Sequence, residues 1–249
     1  MLRVRNLSVG YRAEPVLEGI DLDVKAGQFA SLIGPSGSGK TSILRAATHL
    51  VEPLAGGVQV DVSPNEVGFL FQDDALLPWR TARQNVALGL RIRGNDSKQA
   101  EENAEHWLAR LGLENFGDRY PRQLSGGQRK RVAIAQVLAL KPKLVLMDEP
   151  FASLDAIVRT RITQELLDWV EREHLTVLLV THDLEEAISV SDVVYVLSQG
   201  PRARIRARHD VPIARPRNVL DTRRDPVFGP LLKRLWDELA SESVSAEAR

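Results

Sequence analysis

The segment FASLIGPSGSGKT (29–41) constrains the fold more than any other part of the chain. An apolar run ends in glycines at 34, 37 and 39, and helix-forming residues resume at Lys40. Glycines at that density let a backbone turn tightly and aim its amides inward, as at the exit of a buried strand. With Lys40 and Thr41 the loop completes G-x-x-x-x-G-K-[ST], whose amides and following helix start suit a phosphate group. Gly34, Pro35, Ser36, Gly37, Ser38, Gly39, Lys40, Thr41 and Ser42 are therefore the expected nucleotide-phosphate contacts. Lys40 is expected to reach the β- and γ-phosphates, and the Thr41 hydroxyl to hold Mg²⁺.

A chain of 249 residues can bury its own core, and it has no cysteine for disulfides or thiolate metal sites. That absence sits easily with a reducing compartment. Lys plus Arg and Asp plus Glu are both 33, so no net charge draws the chain to nucleic acid or acidic lipid. No apolar run approaches the roughly 18 residues of a membrane helix, and MLRVRNLSVG lacks a signal-peptide apolar stretch. Work at a membrane is thus expected to pass through a partner.

The pattern predicts a mostly parallel α/β fold. VRNLSVGY and PVLEGIDLDV read as short N-terminal strands, and VGFLFQ (67–72) as another that ends at Gln72. Strands are expected at 143–148, 175–181 and 192–198, alternating with helices at about 155–173 and 183–190. A helix over 96–112 takes Asp96 as its cap, aligns Ala100, Ala104, Trp107, Leu108 and Leu111, and ends at Gly112. Further helices are expected from Thr81 and after Gly127. Asp183 and Glu186 form a capping-box pattern. PRARIRAR (201–208) alternates like one face of an exposed strand. Leu231, Leu232, Leu235, Trp236 and Leu239 mark an amphipathic helix, with SESVSAEAR expected to fray beyond it.

Two further motifs carry chemistry. LVLMDEP (144–150) delivers Asp148 and Glu149 at a strand exit: Asp148 suits the Mg²⁺ shell, and Glu149 the polarisation of an attacking water. LSGGQ (124–128) puts Ser125, Gly126 and Gly127 at a helix start, a second anion-binding arrangement that one nucleotide does not need. Alone it would read as a serine-glycine helix cap.

In this order the motifs resemble the ATP-binding cassette (ABC) family, ATPase subunits of ATP-driven transporters. The likeness covers nearly all of residues 1–220, and implies a P-loop NTPase core with an N-terminal antiparallel β-subdomain. It also implies a helical subdomain inserted at about 73–140, with a C-terminal helix and polar tail over 221–249. In the family, the LSGGQ box of one subunit closes over the ATP of the other, so Ser125, Gly126, Gly127 and Gln128 are implied to act in trans. Asp155 in SLD (153–155) resembles the acid at that dimer seam. Gln72 looks like the glutamine that touches Mg²⁺ and water, His182 like the switch histidine on the γ-phosphate, and Tyr11 like the adenine-stacking aromatic. A core ring or strand-end residue is the plainer reading of a lone Tyr or His.

DDALLPWRTARQNVALGL (73–90) is similar to ATPases of nitrate, aliphatic sulfonate and taurine importers, and to some for a thiamine-precursor pyrimidine, chiefly through Leu77-Pro78-Trp79. The plain alternative is a proline-stiffened loop with a buried tryptophan. The resemblance implies a head-to-tail dimer, a permease docked near 72–90, an external solute-binding protein, and a peripheral place on the cytoplasmic face of the membrane. An ABC-type ATPase acting on nucleic acid or ribosomes is the alternative, but no coiled-coil insertion or second cassette accompanies this one. Gln136 stands where such ATPases commonly have arginine, Lys130 where glutamine is usual, and the link from Val60 to Val67 is short. His49, His106, His174 and His209 lack metal-ligand spacing. The arginines between Arg202 and Arg217 read as an edge strand that resists pairing, not a nucleic-acid patch.

Overall fold

The computed structural model describes residues 1–11, 14–151 and 154–247. Two sheets organise them. Strands β1 (Leu2–Tyr11), β2 (Glu14–Val24) and β4 (Ala55–Val60) form an antiparallel sheet in the order β2-β1-β4. The larger sheet holds β3 (Phe29–Ile33), β5 (Val67–Leu70), β6 (Leu144–Asp148), β7 (Thr176–Val180), β8 (Val193–Leu197) and β9 (Ile205–Asp210). Its order is β5-β6-β7-β3-β8-β9, parallel up to β8, with β9 antiparallel at the edge.

The apolar runs are continuous because both faces of this sheet are covered, and alternate residues enter different cores. Leu144 and Leu146 of β6, with Leu178 and Val180 of β7, pack toward the antiparallel sheet and helix α1 (Lys40–Ala47). Val145, Met147, Val177 and Leu179 point the other way. They meet a layer containing α2 (Ala82–Ile92), α3 (Ser97–Arg110), α4 (Gly126–Leu138) and α5 (Ala156–Glu173). A third cluster joins Ile33, Val194 and Val196 to α6 (Leu184–Val190) and to α8 (Phe228–Glu247) through Phe228, Leu231 and Leu235. The short α7 (Val219–Thr222) lies between, capped by Asn218.

Helix boundaries follow local chemistry. Asp96 accepts from the amides of Lys98 (2.9 Å) and Gln99 (3.1 Å), and Gly112 adopts the left-handed φ of 68° beyond the end of α3. Thr81 and Gln84 close a reciprocal capping box at α2.

Three expectations need correction, and one strand, β4, has no counterpart in the sequence pattern. The strand at 67–72 stops at Leu70, so Gln72 lies two residues past it in a bend. β4, AGGVQV, is half exposed and rich in glycine, so it lacks the apolar run of a buried strand. The capping box of α6 is only half formed: Asp183 accepts from the Glu186 amide at 3.0 Å, but the Glu186 carboxyl takes the Thr181 hydroxyl instead. The terminal helix does not fray at 241 but continues to Glu247, while 248–249 lie outside the described residues.

The arginine run also divides. β9 is an edge strand with alternating exposure, but it runs over Ile205–Asp210 and not over 201–208. Arg215 and Arg217 instead turn inward: Arg217 is only 6% exposed and meets Asp192 at 3.0 Å, and Arg215 holds the same carboxylate.

Candidate functional site

The glycine loop leaves β3 between its neighbours β7 and β8 and enters α1 directly. Gly37 and Gly39 have φ of 76° and 88°, and a Cβ on Gly39 would come within 2.7 Å of Val16. A larger residue at Gly39 would press on the Val16 and Leu17 side chains and strain the left-handed backbone. Lys40 is 6% exposed and donates to the carbonyls of Gly34 and Pro35, both at 2.8 Å. Burial pushes its ammonium down from the usual lysine range, opposed by Glu149 and then Asp148. The Ser38 hydroxyl is fully enclosed and has no hydrogen-bond partner among the described residues. A buried donor without an acceptor, in a loop of inward-turned backbone, fits an anion such as a phosphate. Ser42 is buried one turn into α1, its amide bonded to Gly39 O at 2.9 Å.

The second half of the site comes from β6. Thr41 Oγ1 donates to Asp148 Oδ1 at 3.0 Å. Burial pushes the Asp148 carboxyl up, which Thr41's donation counters. A nearby cation would relieve that penalty, and the all-oxygen set of Thr41 and Asp148 suits Mg²⁺. That ion commonly takes one or two carboxylates and completes its shell with phosphate and water. Accordingly, among the described residues no cluster of three or more His, Cys, Asp or Glu forms a metal cage.

Glu149 holds φ of 42°, the left-handed region that a non-glycine residue seldom adopts. Its amide donates to Val180 O at 2.9 Å, and its Oε2 lies 3.0 Å from His182 Nδ1. Parallel pairing of β6 with β7, Asp148 opposite Val180, brings these two strand exits together. Backbone strain of this kind gathers at functional sites, because the surrounding structure must hold it. Gln72 leaves the neighbouring strand, where Leu70 pairs with Met147, and is exposed.

Tyr11 ends β1 with a half-exposed ring. Its hydroxyl is near Ser42 and Arg45, whose polar groups lower the phenol below its usual range. The tyrosine thus lies beside the helix that follows the loop.

LSGGQ stands apart from these groups: among the described residues, no hydrogen bond or ion pair joins 124–128 to 34–42. Ser125 and Gln128 form a reciprocal capping box at α4, with Ser125 and Gly126 exposed. The helix-cap reading of the box is therefore correct as local structure. Asp155 caps α5, accepting from Ile157 (3.1 Å) and Val158 (3.0 Å), and is also exposed. Ser153 lies outside the described residues.

Trp79 is 70% exposed, which rules out the buried-tryptophan reading of Leu77-Pro78-Trp79. The cause is Asn85, fully buried on α2 and unremarked in the sequence. Its Oδ1 accepts from Leu77 N at 2.7 Å, and its Nδ2 donates to the carbonyls of Leu77, Arg80 and Thr81. One amide thus staples the loop and turns Pro78 and Trp79 outward. Its only trace in the sequence is an Asn inside an otherwise apolar helix face.

The arginine run does not form a free cationic surface. Arg202 and Arg204 pair with Glu18, Arg208 with Asp210, and Arg215 with Glu171 and Asp192. No helix among the described residues is long and apolar enough to cross a membrane.

Comparison with known proteins agrees with this geometry. The profile described as "ABC transporter" matches residues 17–152, more than half of the chain. An aliphatic sulfonates import ATP-binding protein of Streptomyces avermitilis is 42% identical over 96% of this chain and 90% of its own length. A sulfate/thiosulfate import ATP-binding protein of Synechocystis sp. is 43% identical over 79% of this chain, which spans 58% of that relative. Among solved structures, a dimeric ATP-binding cassette in a post-hydrolysis state with ADP and Pi superposes with a TM-score of 0.77. It is 30% identical, and the match covers 86% of this chain and 100% of that one. The chain belongs to the ABC transporter family of ATP-binding proteins.

Proposed function

We propose that this chain is the ATP-binding and ATP-hydrolysing subunit of an ABC importer. The observation that carries the proposal is the convergence of two pairs at adjacent strand exits: Thr41 with Asp148 at 3.0 Å, and Glu149 with His182 at 3.0 Å. Tyr11 stacks on the adenine, and residues 34–42 wrap the phosphates, with Lys40 leaving the Gly34 and Pro35 carbonyls for the β- and γ-oxygens. Thr41, Asp148 and Gln72 would hold Mg²⁺, which would neutralise charge on the phosphate oxygens. Glu149 accepts a proton from the water it orients, and His182 fixes that carboxylate while contacting the γ-phosphate.

Two copies close head-to-tail, so that Ser125, Gly126, Gly127, Gln128 and Asp155 of each face the ATP of the other. The exposure of the capped LSGGQ box supports this division of labour, as does the dimeric cassette that the fold matches. The exposed Trp79, on a loop stapled by Asn85, supports a permease docked on 72–90. Rigid-body closure would pass along that contact. The place of work is the cytoplasmic face of the membrane, and the solute arrives through an external binding protein. Similarity to sulfonate and sulfate import proteins, with the likeness of 73–90 to nitrate, sulfonate and taurine systems, supports a small oxyanion as cargo.

Glu149→Gln tests the assignment. The variant is expected to bind ATP while phosphate release falls by about 10²–10⁴-fold, and its ATP-loaded form is expected to run as a dimer in light scattering. Undiminished hydrolysis would reject Glu149 as the base; a strictly monomeric ATP-loaded form would reject the composite site.

A further inference from the structure

Lys130 is a buried cation that the mechanism above does not use. It lies on α4 two residues after Gln128, with its side chain 1% exposed. Its ammonium donates to Gln72 O at 3.0 Å, more weakly to Phe71 O at 3.4 Å, and pairs with Asp74 Oδ1 at 3.2 Å. The adjacent Arg129 donates to Asp74 Oδ2 at 3.1 Å and to Leu124 O at 2.8 Å. Asp74 is thus held by two consecutive cations. The backbone that presents Gln72 is fastened to the helix that Ser125 caps.

Stability alone is a poor reason to keep such a charge. Replacing a buried ion pair by apolar groups of similar volume is often neutral or stabilising, and a fixed register is among the better-attested gains of keeping one. The register here is specific. Lys130 ties the bend that carries Gln72 to the first turns of α4, and those turns carry the LSGGQ box. In a head-to-tail pair, Gln72 senses the nucleotide of its own subunit, while Ser125 to Gln128 touch the nucleotide of the other.

We propose that Lys130 is a positioning residue that couples the two composite ATP sites, displacing the LSGGQ helix whenever Gln72 moves on its own nucleotide. The coupling rests on the dimeric reading above. Without the clamp, each site would still bind nucleotide, but occupancy of one would no longer prepare the other. The link is mechanical and local: one ammonium, one carboxylate and two carbonyls span the gap.

The test compares full-length wild type, Lys130→Met and Asp74→Asn. Phosphate release is followed against ATP concentration, and ADP binding is measured separately by calorimetry. Wild type is expected to show a Hill coefficient near its two-site ceiling of about 2, falling toward about 1 in both variants. ADP affinity should stay within about twofold, and the double variant should be no worse than the weaker single, as for one shared interaction. A merely structural role would lower ADP binding and melting temperature together and leave the Hill coefficient in place. Folded variants that keep wild-type cooperativity overturn the coupling and leave the dimer standing. A wild type with a coefficient of about 1 at every protein concentration removes the dimeric reading and the coupling with it. If Lys130→Met does not fold, Asp74→Asn decides the question by the same measurements.

Discussion

At the scale of single residues, the site depends on side chains held in states that water would not favour. Glu186 shows this beside the site. It is half-buried beside the turn that carries His182, and burial of its carboxyl pushes that group up from 4.5 to about 7, against donation from Thr181. Asp183 and Glu149 add to the rise. Because the folded value exceeds the unfolded one, folding favours the protonated form. That stabilisation is complete below about 4.5 and is lost as pH climbs through about 7. Glu186→Gln is therefore expected to flatten the decline. Above pH 7 it should be more stable than wild type by up to about 3 kcal/mol. Thermal melts from pH 5.5 to 8.5 check this; parallel curves for the two proteins would contradict it.

The sequence already pointed to the residues proposed to carry the chemistry, because a phosphate loop and a strand-end acid pair are defined by spacing. It did not show the left-handed φ of Glu149, nor that Glu186 would abandon its capping partner for Thr181. Both arise from what the neighbouring strand presents, which no local pattern records.

At the scale of elements, legibility followed burial. β6, β7 and β8 were readable because both faces are covered and every residue is apolar or enclosed. β4 was not, since its half-exposed AGGVQV has glycines where a strand usually has branched side chains. α3 was readable almost to the residue, because Asp96 and Gly112 terminate it by side-chain and backbone chemistry alone. The outward turn of Trp79 was hidden, because it depends on Asn85 packing inside α2.

Asn85→Leu keeps the volume and deletes the four hydrogen bonds to 77–81. The expected loss is about 2 kcal/mol, since the loop carbonyls lose their donor while remaining partly enclosed. Urea unfolding measures it, and a change below about 0.5 kcal/mol would show that the loop holds its shape without the staple. If a permease docks on this loop as proposed, loosening it should also weaken permease stimulation of hydrolysis more than basal hydrolysis.

At the scale of the whole molecule, one carboxylate ties distant parts of the chain together. Asp192 accepts from the Phe29 amide at 2.9 Å, holding the start of β3, and also from Arg215 and Arg217 far along the chain. Arg217 further donates to the carbonyls of Val190 and Ile213. Asp192→Asn leaves a nearly enclosed guanidinium without its counter-charge, and is expected to cost about 3 kcal/mol. That corresponds to a fall in melting temperature of roughly 6–12 °C for a domain of this size. Scanning calorimetry provides the check, and an unchanged midpoint would show that the neighbouring carbonyls suffice for Arg217.

The place of β3 in the sheet has a bearing on biosynthesis. Its neighbours on both sides, β7 and β8, are made more than 140 residues later. The glycine loop after β3 therefore leaves the ribosome early, yet cannot be seated until β7 and β8 have emerged. Such distant pairing slows folding and lengthens exposure to chaperones. It also means that a nascent chain should gain affinity for ATP only once β8 has emerged, so nucleotide capture would report that translation has passed that strand.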